Sequence, residues 1–234
     1  MESDDREAGG LGYLPVADVV AERVVGLDVV TTWPGQAPAE RRAQLARTDA
    51  QLLVAVAEEA ARGSATAAGW WLGVALGHQR LVRPAGPERL LDLLAYAGLR
   101  ADRLVLPMVE WELAQVVAAG AVAPLADAGV RFAVVGVGSG HLRPSDLRQV
   151  PIAQVRLDLT GLDLARADDL DLVGGLAVAA RVLGADPVAV GVDDPDQIEL
   201  ARRAGIRLVR MGGAGGGPAV PPQGAITTGW LGAR

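Results

Sequence analysis

A strand, a glycine turn and a later carboxylate lie in the middle of the chain in the order of a dinucleotide-binding fingerprint. The turn consists of Gly136, Gly138, Ser139 and Gly140. These residues lie at the end of the apolar run 132–137, and Asp158 lies within the next apolar run, 154–159. The helical stretch between the runs is short and begins near Pro144, and the unit lies in mid-chain, which argues against NAD(P). We therefore expect a ligand near this turn, but not a nicotinamide dinucleotide.

The composition excludes several kinds of chemistry. The chain has no cysteine, so it has no thiolate and no disulfide, and its two histidines are His78 and His141. Because thiolates are absent and imidazoles are few, a zinc site or Ser/His catalysis is disfavoured. All 22 basic residues are arginine, and the formal net charge is −6 with no clustered basic run, which argues against a nucleic-acid partner.

The ends of the sequence predict a protein of the cytoplasm without a membrane segment. The first ten residues are acidic, whereas a signal peptide begins with basic residues. No apolar run reaches the ~20 residues that a membrane helix needs. We expect residues 1–10 to be a disordered acidic tail and residues 214–234 to be a flexible tail rich in Gly and Pro.

Between the tails, strand-like and helix-like segments alternate. The runs 13–20 and 24–30 are separated by three residues, which is too short for a crossover helix, so they predict an antiparallel hairpin. In this hairpin Val25, Leu27 and Val29 are expected to share one face, with Asp28 on the opposite face. Further strands are expected at 71–76, 104–109, 132–137, 154–159, 188–192 and 208–210. Helices are expected at 39–61, 87–97, 112–128, 168–183 and 195–204, several of them ending at a glycine.

Eight strands, seven of them joined by helices, predict an α/β fold. The architecture that this order favours is a TIM-like (β/α)8 barrel with one antiparallel strand, spanning residues 11–213. An open doubly wound sheet is the alternative. In a barrel the ligand site lies at the carboxyl ends of the parallel strands.

Motifs along the whole of residues 11–213 resemble the EAL domain, the cyclic di-GMP phosphodiesterase barrel of bacteria. The opening motif is carried by Tyr13, Pro15, residues 23–26 and Trp33. Residues 102–106 precede a degraded form of the family's L-E-I-T-E element. Residues 135–141, 156–158 and 190–193 follow in the family's order and resemble its D-D-F-G-T-G-Y, K-I-D and E-G-V-E elements.

The resemblance implies a two-metal phosphodiesterase whose metal ligands have mostly been replaced. The family's carboxylate and amide ligands fall here on Ala75, Pro107, Val135, Gly136 and Val190. The family's catalytic Lys falls on Arg156, whose guanidinium stays protonated and cannot act as a base. The family's substrate-gripping Arg falls on Thr32. We therefore expect no catalytic residue, no metal and no cofactor.

The acidic residues that remain at the family's positions are Asp28, Glu110, Asp158 and Asp193. One interpretation is a relic ligand site formed by these acids with Arg156. The other is a structural ion pair between Asp158 and Arg156, with the remaining acids lining a solvated barrel mouth. Four acids around one cavity without a cation would repel each other, which makes their retention notable.

The sequence thus predicts a catalytically inactive EAL-like module that acts in cyclic di-GMP signalling as a regulatory, protein-binding domain, with a homodimer as one arrangement. A non-hydrolytic receptor for cyclic di-GMP or another nucleotide is the alternative, and a residual phosphodiesterase is the third hypothesis. We further expect apolar side chains to close the barrel mouth. The candidates are Trp33 and Trp111 at strand ends, together with the Gly-rich tail or the loop 31–38.

Overall fold

The structure is a computed structural model, and part of the chain is described. The described residues are 10–32, 69–136, 140–141, 147, 149–160, 162, 166–192 and 195–212. The predicted helix 39–61, residue Trp33, both predicted tails and the short helix after Pro144 lie outside or almost entirely outside these ranges, so they remain predictions.

Eight strands and six α-helices lie in the described ranges. The strands are β1 Gly10–Asp18, β2 Arg23–Thr32, β3 Trp71–Val74, β4 Leu104–Val109, β5 Arg131–Val135, β6 Ile152–Asp158, β7 Asp186–Val192 and β8 Leu208–Met211. The helices are α1 His78–Leu81, α2 Gly86–Tyr96, α3 Glu110–Ala118, α4 Val122–Asp127, α5 Ala167–Val182 and α6 Pro195–Arg203. A 3-10 turn, Ala101–Arg103, precedes β4. No helix in the described ranges has the length and apolarity that crossing a membrane would require.

The strands close into one barrel in sequence order. Strand β1 is antiparallel to both of its neighbours, β2 and β8, and β2 to β8 are parallel to one another. This confirms the predicted barrel with one antiparallel strand and excludes the open doubly wound sheet. Because the parallel strands end at the same side, the last residues of β2 to β8 form a common mouth, where the ligand sites of such barrels lie.

Alternation along the strands separates two apolar clusters. The inner cluster fills the barrel and consists of Val16, Trp71, Val105, Ala133, Val188, Val190 and Leu208. The larger outer cluster lies between the strands and helices; Phe132, Leu106, Leu113 and Leu125 are fully buried in it. The strands carry apolar side chains on both faces, one toward the barrel interior and one toward the helices. Their sequences are therefore nearly continuous apolar runs.

Two local predictions were wrong. The predicted helix 112–128 is two helices, because Gly120 takes a left-handed φ of 68° and ends α3 before α4 begins. We also expected Val25 to share a face with Leu27 and Val29. It packs on the inner cluster instead, because the register of β1 and β2 is irregular between Gly26 and Val24, at a β-bulge.

The turn between β1 and β2 is held by Asp18, whose side chain is fully buried. Its Oδ1 accepts hydrogen bonds from the backbone N–H groups of Val20 (3.1 Å) and Ala21 (3.0 Å). Its Oδ2 accepts from Arg207 Nη2 at 2.5 Å and Nε at 3.1 Å. Burial raises the pKa of Asp18, but these hydrogen bonds outweigh it and leave the pKa below its ordinary value.

We predict that Asp18→Asn lowers the free energy of unfolding at pH 7 by about 1–2 kcal/mol, since it weakens charge-assisted hydrogen bonds. Because the folded-state pKa is lowered, the stabilisation is present above the unfolded-state pKa and is lost as the pH falls through the folded-state value. Urea unfolding at pH 7 and pH 3 measures both effects, with the exposed Asp92→Asn as the control. A variant that loses as much stability on acidification as the wild type would contradict the prediction.

Candidate functional site

An ion pair between Asp28 and Arg156 lies inside the barrel. Arg156 Nη1 donates to Asp28 Oδ2 at 2.5 Å, and Arg156 Nη2 donates to Asp28 Oδ1 at 2.7 Å. Both side chains are 4% exposed. Two parallel hydrogen bonds between a guanidinium and a carboxylate are the strong, directional form of this contact. Strands β2 and β6 carry the two residues, so the pair crosses the barrel interior.

Glycine opposite Asp28 leaves the space in which the pair sits. Gly73 on β3 lies beside Asp28 in the strand register. A Cβ added at Gly73 would lie 2.0 Å from Asp28 Oδ1 and 3.1 Å from Arg156 Nη2. Gly26 has the same relation to Trp71, whose ring atoms would lie 2.3 Å from an added Cβ. The missing side chains are therefore what allows the carboxylate and the indole to occupy the interior.

A second guanidinium, that of Arg210, reaches the same carboxylate. Arg210 Nη1 lies 3.5 Å from Asp28 Oδ2, and the Arg210 side chain is 21% exposed. Gln154 also belongs to the site, since Arg156 Nη2 donates weakly to Gln154 Oε1 at 3.4 Å. The sequence prediction included neither residue. Strand alternation could have identified both residues. Gln154 lies two residues before the inward-facing Arg156, and Arg210 lies two residues after the inward-facing Leu208.

Among the residues that the structure describes, three arginine Nε atoms are buried without a hydrogen-bond partner. They belong to Arg131, Arg156 and Arg210. Two of the three are in the guanidinium groups beside Asp28. Because buried N–H groups nearly always have an acceptor, two unpaired ones in one site are unusual.

Asp158 lies at the mouth end of β6 but does not pair with Arg156. Its side chain is exposed, and its Oδ1 accepts a hydrogen bond from the Thr160 backbone N–H at 2.9 Å. Gly191 is close, with a left-handed φ of 73° and a virtual Cβ 2.7 Å from Asp158 Oδ1. The alternative that paired Asp158 with Arg156 is therefore wrong, because closure of the barrel gives Arg156 a buried carboxylate instead.

The other two predicted acids have different outcomes. Glu110 is the first residue of α3, directly after β4, and is 4% exposed. This position places it at the carboxyl end of β4, and its part in a ligand site remains a prediction. Asp193 follows β7 but lies outside the described residues. Of the five residues predicted for the relic site, the structure thus joins Asp28 to Arg156 and places Glu110 and Asp158 at strand ends.

A histidine and a tryptophan flank the mouth on the side of β3 and β4. His78 is buried, its Nδ1 lies 3.3 Å from Glu112 Oε1, and its ring meets that of Trp111 edge-on at 4.9 Å. Glu112 Oε2 accepts from the Val109 backbone N–H at 3.3 Å. These contacts tie α1 to α3. Trp111 remains 42% exposed, so it does not close over the site, whereas the interior position is filled by Trp71.

The family model described as the EAL domain matches residues 6–210. The chain therefore belongs to the EAL family, as its motifs predicted. No curated protein matches the chain.

Solved structures agree with this fold. A structure titled PaMucR phosphodiesterase in complex with c-di-GMP has a TM-score of 0.73 at 20% identity, over 87% of this chain and 93% of that one. The EAL domain of Mycobacterium smegmatis DcpA gives 0.71 at 21% identity, over 87% and 90%. Klebsiella pneumoniae BlrP1, in a manganese and cyclic di-GMP complex, gives 0.69 at 20% identity, over 87% of this chain and 54% of that one.

The residues around Asp28 do not fit the divalent metals that the family resemblance implies. A metal needs carboxylate lone pairs that face an open position. Both oxygens of Asp28 accept from Arg156, and Oδ2 also has Arg210 Nη1 nearby. Within the described ranges, no three His, Asp or Glu side chains are grouped so as to hold an ion.

Proposed function

We propose that this chain is an EAL-family domain that does not hydrolyse cyclic di-GMP and that acts as a regulatory module through protein contacts. The main support for the proposal is the bidentate ion pair between Arg156 and Asp28, with Arg210 close to the same carboxylate. In the family resemblance, Asp28 occupies the place of the signature Glu, a metal ligand. Here two cationic side chains surround that position.

The electrostatics of the site support this proposal. A divalent cation at Asp28 would have to displace a guanidinium from two short hydrogen bonds and would then lie close to two positive charges. Both charges belong to guanidinium groups, which are permanent cations in proteins. The chain has no lysine that could take the role of a base at a metal-bound water.

We predict that no linear dinucleotide forms from cyclic di-GMP with Mg²⁺ or Mn²⁺. Loss of even one ligand or its supporting partner costs about 10–100-fold in metal affinity or activity, and several positions have changed here. Chromatography of the reaction products measures this, beside an active EAL phosphodiesterase assayed as the control. Metal-dependent turnover that disappears in Asp28→Ala would contradict the proposal.

An exposed apolar face on α5 supports the protein-contact part of the proposal. Val173, Ala177 and Ala180 bury one side of this helix against the barrel. Leu172, Val178 and Val182 point away from the barrel and are 57%, 56% and 81% exposed, whereas Leu176 lies at the border of the buried side and is 37% exposed. A large apolar patch on a protein surface is typical of a contact with another macromolecule.

The charge pattern of α5 favours a second copy of this chain as the occupant. The first turn carries Asp168 and Asp169, and the last turn carries Arg181. In an antiparallel pair of helices centred near Gly175, the acidic first turn of each copy lies beside the basic last turn of the other, and the helix dipoles oppose favourably. Within one copy, Arg181 donates to the Gly205 carbonyl. A Cβ added at Gly175 would have no atom within 4 Å, so the centre of this face is open to a partner helix.

We predict a concentration-dependent dimer that Val178→Asp, a change one turn from Gly175 at a residue that is 56% exposed, weakens at least about tenfold. One helix face is smaller than the ~800 Å² per partner of a standard interface, so we expect reversible association. Burying an unpaired aspartate at its centre opposes that association. Sedimentation velocity at several concentrations measures it, with Tyr96→Asp, an equally drastic change at an 84% exposed residue on α2, as the control. A wild type that stays monomeric at 100 μM would contradict the prediction.

A non-hydrolytic cyclic di-GMP receptor is the second candidate. Two structures of the same fold, by their titles, contain this dinucleotide. The two arginines at Asp28 offer positive charge for its phosphates. Calorimetric titration with cyclic di-GMP tests this function, and absence of heat at micromolar concentrations would eliminate it.

A further inference from the structure

We propose that the amino-end face of the barrel docks on an anionic lipid surface. This face is the end opposite the mouth, where β2 to β8 begin and where the turn between β1 and β2 lies. Such a contact lies on the membrane and needs no spanning helix. The inference goes beyond the proposed function, because it involves neither the ion pair at Asp28 nor the exposed side of α5.

The most exposed large apolar side chains of the described residues lie at this end. Tyr96 and Val182 are the last residues of α2 and α5 and are 84% and 81% exposed. Val20, in the turn between β1 and β2, is 71% exposed. Helices in such barrels run from the mouth back to the amino ends of the strands, so their last residues lie there.

The turn that carries Val20 is held in place by its neighbours. Val19 is fully buried, and its N–H donates to the Arg207 carbonyl at 2.9 Å. The Val19 carbonyl accepts from Arg202 Nη2 at 2.8 Å, and Asp18 accepts from the N–H of Val20. The turn therefore presents Val20 outward in a fixed position, so that little ordering entropy is lost when its side chain enters another phase.

Hydrogen bonds connect this turn to the end of α5. Arg202, in the last turn of α6, reaches the Val19 carbonyl, and Arg181, in the last turn of α5, donates to the Gly205 carbonyl just after α6. The surface from Val20 to the end of α5 is therefore continuous. The basic strip is defined as Val20, Arg23, Arg181, Val182, Arg202, Arg203 and Arg207.

The basic strip is positively charged although the chain has a net charge of −6. Its five arginines are exposed, and the exposed acids of this part of the face are Glu22 and Asp186. The acidic first turn of α5 lies at the mouth end. A strand of seven residues separates the two ends by about 20 Å, beyond the screening length of ~8 Å at physiological salt. The mouth acids therefore oppose an anionic surface only weakly.

The combination of arginines with protruding apolar side chains favours lipid over an acidic protein. Guanidinium groups bind phosphate headgroups, and basic residues near an anionic leaflet are attracted to it. A bilayer accepts Val20 and Val182 at any spacing, whereas a protein partner must supply a fitting pocket for each.

Co-sedimentation with vesicles tests the proposal. We expect the wild type to bind phosphatidylcholine vesicles containing about one-third phosphatidylglycerol, and to be released by salt. Val20→Asp should weaken binding at least about tenfold, and Leu172→Asp, a 57% exposed residue about 15 Å from the end of α5, is its control. Removing two charges with Arg23→Gln and Arg203→Gln should also weaken binding at least about tenfold. Arg83→Gln with Arg89→Gln, the same change on the mouth side, should bind like the wild type.

A fluorescent label locates the contact, because the chain has no cysteine and Val20→Cys is a unique attachment site. An environment-sensitive fluorophore there should shift to the blue with anionic vesicles, whereas the same label at Leu172→Cys should not.

Several outcomes would overturn the proposal. They are absence of vesicle binding, equal binding to pure phosphatidylcholine, equal losses in the variants and their controls, and equal spectral shifts at both labels. Binding to poly-glutamate but not to vesicles would assign the basic strip to an acidic protein instead. If Val20→Asp does not fold, the double arginine variant and the label still decide. These readouts are independent of the turnover and sedimentation-velocity measurements.

Discussion

Replacing Arg156 with methionine is expected to lower the free energy of unfolding by about 3–5 kcal/mol. The variant leaves Asp28 buried at 4% exposure without the guanidinium that accounts for two short hydrogen bonds. Removal of one partner of a buried ion pair has this large effect because the remaining charge stays in the protein interior, where neither water nor a counter-charge stabilises it. Urea unfolding followed by circular dichroism measures the change.

The double variant Asp28→Asn with Arg156→Met is the control for this prediction. It removes both charges, so we expect it to be more stable than Arg156→Met alone by about 2 kcal/mol. The difference separates the cost of an unpaired charge from the loss of packing by the arginine stem. A single variant that loses less than about 1 kcal/mol would show that Arg210 by itself compensates Asp28.

The change Gly73→Ala is expected to destabilise the fold by about 2–4 kcal/mol and to separate the ion pair. The new Cβ would lie 2.0 Å from Asp28 Oδ1, and Gly73 is itself buried in β3 between β2 and β4. Neither strand can move away without loss of barrel hydrogen bonds, so the carboxylate must shift from Arg156. Insertion of atoms into a filled interior commonly has a cost of this size. Chemical denaturation measures the stability.

Gly174→Ala is the matched control, because it is the same chemical change in open space. A Cβ at Gly174 on α5 would have no atom within 4 Å. Alanine is preferred over glycine within a helix by about 0.5–1 kcal/mol, so we expect this variant to be slightly more stable than the wild type. Similar losses of stability in both variants would mean that the contact at Asp28 is not the cause.

The two predictions together connect the fold to the proposed function. If Arg156 and Gly73 both contribute strongly to stability, the position that resembles a metal ligand has become part of the barrel's structure. A substitution that reopened this position to a cation would then also weaken the fold. Restoration of a metal site would require several compensating changes at once.

Local patterns in the sequence accounted for most of the secondary structure. Strands and helices follow from apolar periodicity and from glycines that end helices, and these signals involve neighbouring residues only. The hairpin of β1 and β2 was predictable for the same reason, since its connection is short. The prediction of one helix over 112–128 was wrong although a signal of the same local kind was present, since Gly120 with its left-handed φ of 68° ends α3.

Motif order determined the family and the barrel from sequence, and it also placed Asp28 and Arg156 among the candidate residues. Their contact could not be predicted, because 128 residues separate them and Asp158 is a nearer acid on the same strand as Arg156. The tertiary structure decided the pairing. Closure of the barrel through β1 brings β2, β6 and β8 around one interior, where burial favours the carboxylate that two guanidinium groups can reach.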